Sequence, residues 1–369
     1  MAAVKVLLST TLFYPSRLGG PANTLYWLAK ALVKADVNSS VVTTDGHIEE
    51  GKVTPDTWSD VDGIRVRYCK SGILCMLKVL RHTWKEMKSC DSVMLCDIFQ
   101  RQVLPVAFMA RMRGKKIIWS PRGELFGPAL MGSKAKLYYI AIVRKFFGGY
   151  ATFHATSDEE RVMIYDHIGK DAKVVVIPNY IELPLQLVRE NVQVPYFLYV
   201  GRINSIKALD RLILGLAQSK LFKPSRYNLK LAGPNQDNYQ QELERMIEEN
   251  GLQGRVEFVG NVFGNDKFQL YANAYFSCLL SHSENFGNVV IEALSQGTPV
   301  IASTGTPWRV LNDKNAGYWI DNSPENIAKC VDKVLELSDS KYTEMRKNAR
   351  GLANSYDVEL NINKWVEIL

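Results

Sequence analysis

Glu284 and Glu292 stand with seven residues between them in Ser281-His282-Ser283-Glu284-Asn285-Phe286-Gly287-Asn288-Val289-Val290-Ile291-Glu292-Ala293-Leu294, where a turn with a glycine runs into an apolar stretch of helical character. Glu284 falls in the loop ahead of the helix. Glu292 lies about two turns further along the same side, because a helix advances about 3.6 residues per turn. The amides of Phe286, Gly287 and Asn288 sit at the helix N-terminus, where unpaired donors and the positive dipole end favour an anionic or oxygen-rich ligand. A sugar and a nucleotide could be gripped together there; the plain alternative is an amphipathic helix with two solvated glutamates. Near the start, Gly19-Gly20 would let the backbone approach a phosphate or an acceptor, since no Cβ blocks contact, and Pro21 can open the next helix. No Gly-x-Gly-x-x-Gly stands there, and the chain has no Gly-x-x-x-x-Gly-Lys-Ser/Thr, which argues against nicotinamide, flavin or ATPase chemistry.

The elements that must position these residues read as two βα series. Val4–Ser9, the glycine loop, Asn23–Lys34 and Ser40–Thr44 form a βαβ unit, and Ser92–Cys96, Lys116–Ser120 and Tyr150–Ala155 read as further buried strands. After Tyr180 the prolines and weak periodicity of 184–195 mark a linker. Strands at Tyr196–Val200, Leu229–Ala232, Val256–Val259, Phe276–Leu280 and Pro299–Ala302 then alternate with helical stretches such as Asp237–Asn250. The expectation is an α/β chain of two facing doubly wound, Rossmann-like domains, 1–183 and 196–353, with 354–369 crossing back to the first. Ligands of such sheets bind beyond the carboxyl ends of the strands, so a cleft between the domains is expected. The triplet Asp60-Val61-Asp62 precedes Gly63 and an alternating strand, which reads as a hairpin turn in preference to a metal-holding Asp-x-Asp.

The segment around Glu284 resembles the C-terminal half of the retaining glycosyltransferases of family 4, which share the GT-B fold. Leu279-Leu280-Ser281 looks like that family's strand end. Glu292-Ala293-Leu294-Ser295-Gln296-Gly297-Thr298-Pro299-Val300-Ile301-Ala302-Ser303 looks like its helix, turn and strand, continued by Thr304-Gly305-Thr306-Pro307-Trp308. Tyr199-Val200-Gly201-Arg202, with Lys207 five residues on, is similar to its diphosphate-binding segment, and Gly19-Gly20 to its first loop. The resemblance implies that Arg202 and Lys207 neutralise the diphosphate, a guanidinium fork and a compact ammonium doing so without a metal. Glu292 would accept from ribose hydroxyls, and Glu284 would hold the transferred sugar and oppose charge at its anomeric carbon. Gly19, Gly20, Asn285, Phe286, Gly287 and Asn288 complete the donor site. Retention of configuration is implied by the family and is not visible in the residues.

Two departures stand out. Ala208 follows Lys207 where the family has glycine. After the strand Lys116–Ser120, where many members place a histidine, the chain reads Ser120-Pro121-Arg122-Gly123. Arg122 could stabilise leaving-group or sugar oxygens but stays protonated and is no general base. His154, at another strand end, is the candidate to replace the histidine, against the plainer reading of a satisfied structural residue.

Length and apolar content suit two full cores, 369 residues and 47%. No apolar run is long enough to span a bilayer, and the N-terminus reads as a strand, so a cytoplasmic location is expected. Six cysteines without a Cys-x-x-Cys pair fit reduced core thiols, and no metal or cofactor is expected beyond the sugar nucleotide itself. Lys and Arg outnumber Asp and Glu by 25 to 17 in residues 1–185, against 20 to 21 in the remainder. That asymmetry, without a recognition motif, points away from nucleic acid and towards an acidic partner. Leu77, Leu80, Trp84 and Met87 beside Lys78, Arg81, Lys85 and Lys88 read as a basic amphipathic helix for an anionic membrane. Lys134, Lys136, Arg144 and Lys145 around Tyr138, Tyr139, Ile140, Phe146 and Phe147 read as a second contact; the alternative is a helix packed on its own sheet.

The function expected is a retaining, metal-independent transfer of a sugar from a UDP- or GDP-linked donor to a surface-polysaccharide or lipid-linked glycan, as in lipopolysaccharide or capsule biosynthesis. A sugar-nucleotide epimerase, a glycan phosphorylase or a silent nucleotide-sugar binding protein on the same fold are the other readings.

Overall fold

A computed structural model describes residues 4–16, 20–130 and 133–369. The chain forms two compact units, Met1–Glu182 with Val358–Leu369, and Leu183–Asp357. In the first, the strands are β1 (Lys5–Ser9), β2 (Asn38–Thr44), β3 (Trp58–Val61), β4 (Ile64–Cys69), β5 (Ser92–Cys96), β6 (Lys116–Ser120), β7 (Thr152–Ala155) and β8 (Lys173–Val176). They lie in the order β3-β4-β2-β1-β5-β6-β7-β8. All neighbours are parallel except β3 and β4. Crossover helices cover such a sheet on both faces, which is why β5, Ser-Val-Met-Leu-Cys, is buried at every position. The antiparallel pair is the hairpin expected from Asp-Gly, with Asp62 at φ +51° and Gly63 at φ +80°. Both carboxylates of the Asp-x-Asp triplet are engaged: Asp60 accepts from the Gly63 N–H at 3.1 Å within the turn, and Asp62 accepts from the hydroxyl of Tyr26 on the helix Gly20–Lys34.

The second unit holds β9 (Tyr196–Val200), β10 (Asn228–Ala232), β11 (Val256–Gly260), β12 (Phe276–Leu279), β13 (Val300–Ser303) and β14 (Gly317–Ile320). The order β11-β10-β9-β12-β13-β14 is parallel throughout. Each unit therefore reverses its winding once, between β1 and β5 in the first and between β9 and β12 in the second. Those are the topological switch points at which doubly wound sheets bind ligands. Phe197, Leu212, Leu229, Leu231, Phe276 and Ile301 are part of the second core.

The last residues belong to the first unit. Trp365 packs on His154 with ring centroids 4.5 Å apart and planes tilted by 47°, the Lys364 ammonium donates to the Tyr180 hydroxyl at 2.8 Å, and Glu359 pairs with Lys34. Five of the six cysteines are buried, and burial pushes the Cys96 thiol up to about 11.

The helix Cys75–Glu86 divides the expected membrane stripe between core and surface. Met87 is fully buried and Leu80 packs on the core. Trp84 lies under the Arg113 guanidinium, 3.6 Å from its ring centre. Lys78 is held by Asp56 at 2.5 Å. Leu80, Trp84 and Met87 form the inward face of a helix on its own sheet, while Leu77, Arg81, Lys85 and Lys88 are exposed, next to the exposed Ile73 and Leu74. The helix Lys134–Phe147 turns Ile140, Val143 and Phe147 inward but leaves Leu137 and Tyr138 exposed among Lys134, Arg144 and Lys145.

Candidate functional site

In the second unit the expected residues converge on the switch point. The turn after β9 carries Arg202 and Lys207, and the loop after β12 carries Glu284. The Lys207 ammonium pairs with the Glu284 carboxylate across these two loops, both side chains largely shielded from solvent. Arg202 is exposed and, among the described residues, its guanidinium has no hydrogen-bond or ion-pair partner, so it is free to meet a phosphate. Its backbone is fixed: the Tyr199 hydroxyl donates to the Arg202 carbonyl at 2.7 Å. The Ile203 N–H donates to the Pro234 carbonyl at 2.8 Å. Gly233 passes so close to Gly201 that a Cβ on it would lie 1.9 Å from the Gly201 oxygen. Ala208, in the family's glycine position, is buried in the left-handed region at φ +52°.

The Glu284 loop is clamped from three sides. The Glu284 N–H donates to the Gly305 carbonyl at 2.9 Å, and the His282 N–H to the Ile206 carbonyl at 2.9 Å. The Trp308 indole donates to the Phe286 carbonyl at 2.5 Å and meets the Phe286 ring edge-on at 5.1 Å. Trp308 and Phe286 are buried, so both fix the loop from beneath and neither offers a face to a ligand. Gly287 caps the helix Asn288–Ser295 at φ +85°, and a Cβ there would lie 2.6 Å from a Leu279 methyl. The N–H groups of Phe286 and Gly287 donate to no group among the described residues, leaving two donors at a helix N-terminus. His282 is exposed, and its Nδ1 lies 3.4 Å from the Asn322 amide.

Glu292 is buried within that helix, between two donors that sequence reasoning missed. Lys267 reaches one carboxylate oxygen at 2.8 Å, and the buried Tyr271 hydroxyl donates to the other at 3.3 Å. Burial, with Glu292 adding to it, raises the Tyr271 phenol well above its ordinary range, so it stays a donor. Each glutamate is therefore neutralised by a lysine from a different element. The Lys267 partnership has no local signal, because the residues come from two helices, Gly264–Asn273 and Asn288–Ser295, that meet only in the folded unit.

In the first unit, Gly20 opens the helix Gly20–Lys34, and Gly19 falls outside the described residues. Arg122 follows β6 at φ +52° and Gly123 at φ +82°. The buried Glu160 holds this turn, accepting from the Gly123 N–H at 2.6 Å and from Thr156 N–H and hydroxyl at 2.7 and 2.8 Å. Arg122 Nε is buried without a partner among the described residues. His154 does not take the missing histidine's place. It is fully buried, its Nδ1 lies 2.8 Å from the Ser120 hydroxyl, and its Nε2 lies 2.7 Å from the Ile177 carbonyl. A carbonyl can only accept, so the proton sits on Nε2 and Ser120 donates to Nδ1. Burial pushes the imidazole down to about 3, the Ile177 carbonyl acting against this. With both nitrogens engaged, it is a structural residue.

A family model described as glycosyl transferases group 1 matches residues 187–352. GDP-mannose:cellobiosyl-diphosphopolyprenol alpha-mannosyltransferase of Xanthomonas oryzae pv. oryzae is 24% identical over 268 residues, 71% of this chain and 69% of that protein. An uncharacterized glycosyltransferase of Methanocaldococcus jannaschii is 33% identical over 140 residues, 37% of this chain and 35% of its own length. In fold, the chain is similar to Anabaena HepE in complex with UDP and glucose, at a TM-score of 0.75 and 19% identity over 99% of this chain and 98% of that one.

Proposed function

We propose that the chain, which has the GT-B fold and matches the glycosyl transferases group 1 family over residues 187–352, is a glycosyltransferase that moves a sugar, with retention, from a UDP- or GDP-linked donor to a lipid-linked or surface-polysaccharide glycan. The observation that carries this reading is the pairing of a free Arg202 with the Lys207–Glu284 couple at the switch point of the second sheet. Arg202 binds the diphosphate as a fork, and Lys207 shares its protons between Glu284 and a phosphate oxygen. The free amides of Phe286 and Gly287 add fixed donors at a helix N-terminus. Glu292, held by Lys267 and Tyr271, keeps lone pairs for ribose hydroxyls. Glu284 orients the sugar and opposes positive charge at its anomeric carbon, while the guanidinium and ammonium take up the charge of the departing diphosphate. Those two cations perform the neutralisation a metal would otherwise supply.

A lipid-linked acceptor is favoured by the relative that acts on a diphosphopolyprenol and by the exposed basic surface of the first unit. Peripheral contact with an anionic membrane follows from Leu137, Tyr138, Lys134, Arg144 and Lys145 more than from the helix Cys75–Glu86. Among the described residues no helix is long and apolar enough to cross a membrane.

A thermal-shift panel of UDP-, GDP-, ADP- and CMP-sugars, with and without chelator, tests the donor. A ligand that binds only the folded state raises the melting temperature by mass action. Stabilisation by a UDP- or GDP-sugar that survives chelation is expected. A response abolished by chelator would remove the cationic mechanism.

A further inference from the structure

Tyr199 stands on β9, between β10 and β12, with 1% of its surface exposed. A tyrosine packed that deeply needs a partner for its hydroxyl, whereas phenylalanine would fill the same space without one. The partner lies three residues further along the same chain: the hydroxyl donates to the Arg202 carbonyl at 2.7 Å. The side chain therefore folds back under the turn that carries the guanidinium. Gly201 makes room for it at φ +154°, where a Cβ would lie 2.7 Å from the Tyr199 oxygen and 3.1 Å from the ring carbon that bears it. Among the described residues nothing else donates to the Arg202 carbonyl. The same peptide unit is tied on its other side, where the Ile203 N–H donates to the Pro234 carbonyl at 2.8 Å. With the Gly201 N–H on the Ala232 carbonyl at 2.9 Å, the backbone before and after the Arg202 side chain is set.

The phenol also lies in the field of the site's charges. Burial raises it far above its ordinary range, the Glu284 carboxylate adding to the rise and the Arg202 guanidinium opposing it, so it stays a hydrogen-bond donor. A long arginine side chain loses rotamer freedom when it closes on a phosphate, and a backbone set in advance keeps that loss small. We propose that Tyr199 is the positioning residue of the diphosphate site: its hydroxyl, acting through the Arg202 carbonyl, aims the guanidinium at the phosphates without itself touching the donor. This assignment rests on the reading of Arg202 as a ligand of the donor diphosphate, and adds to it a buried group that no phosphate meets.

The test is a double-mutant cycle on the full chain, with calorimetry of UDP and GDP against the parent, Tyr199→Phe, Arg202→Ala and the double variant, and with uridine and guanosine as the comparison ligands. Tyr199→Phe keeps the ring in the core and deletes one oxygen. The better-bound diphosphate should weaken by about threefold or more in Tyr199→Phe, the scale of one neutral hydrogen bond, while the matching nucleoside binds as before. In the Arg202→Ala background the same change should have no further effect, since the group being aimed is gone. A diphosphate affinity unaltered by Tyr199→Phe, or a loss that recurs in full in the Arg202→Ala background, overturns the assignment and leaves the tyrosine a core residue. So does a loss shared equally by nucleoside and diphosphate. A chain weakened by Arg202→Ala and not by Tyr199→Phe keeps the transferase reading and refutes the positioning role alone, whereas an Arg202→Ala without effect refutes both.

Discussion

His154→Gln decides whether the buried histidine is structural or a displaced catalytic base. The folded protein holds His154 neutral down to about pH 3, whereas an unfolded chain protonates a histidine near about 6.5. Between those values the unfolded state binds the extra proton, so stability is full above the unfolded value and falls as pH drops through it. Taking the chain from about pH 8 to about pH 5 should cost about 2 kcal/mol through this residue alone. That figure depends little on the folded value, provided it stays well below 5. Asp97 works against it: its folded carboxyl is raised, so its destabilising charge is relieved as pH falls, by about 1 kcal/mol over the same interval. The histidine is therefore isolated by difference. Urea unfolding of the parent and His154→Gln, followed by tryptophan fluorescence at both pH values, should show the variant less stable at pH 8. Its further loss on acidification should be smaller by about 2 kcal/mol. Equal pH dependence in the two proteins would mean that His154 titrates freely, and it would return as a catalytic candidate.

Glu284→Gln keeps shape and removes charge, so turnover should fall at least about tenfold while donor affinity changes little; a pure affinity loss would make Glu284 a binding residue only. Lys267→Met leaves Glu292 with one donor in a largely buried setting, which should lower stability by about 1–3 kcal/mol in urea unfolding and weaken nucleoside and nucleotide binding alike. Unchanged stability would show that the pair is not formed. Lys134, Arg144 and Lys145 replaced together by Gln should reduce binding to anionic vesicles more than the same change at Arg81, Lys85 and Lys88, with donor binding intact in both. The reverse ranking would restore the helix Cys75–Glu86 as the contact.

Period and punctuation made the strands legible. Ser92–Cys96, Lys116–Ser120 and Tyr196–Val200 form over the residues that their apolar runs mark, and Asp62-Gly63 makes its turn. β14 escaped because Gly-Tyr-Trp-Ile is a short edge strand in which Tyr318, Trp319 and Ile320 are only partly buried. Of Leu77, Leu80, Trp84 and Met87 the last three turn inward while Leu77 is exposed; helical spacing identifies an apolar face without saying whether lipid or the protein's own sheet covers it. In the second unit the residue types were readable while their partners were not. Lys207 with Glu284 and Lys267 with Glu292 join residues 77 and 25 positions apart, and only the sheet order brings them together.

The central claim, that Arg202 and Lys207 hold the diphosphate of the donor, is tested most directly by calorimetry of UDP and GDP against uridine and guanosine, with chelator present, on the parent, Arg202→Ala and Lys207→Ala. Each substitution removes a charge-assisted partner worth roughly 1.5–3 kcal/mol. The better-bound diphosphate should therefore weaken by about tenfold or more in each variant, while the matching nucleoside binds as before. Diphosphate affinity unchanged in both variants would contradict the account.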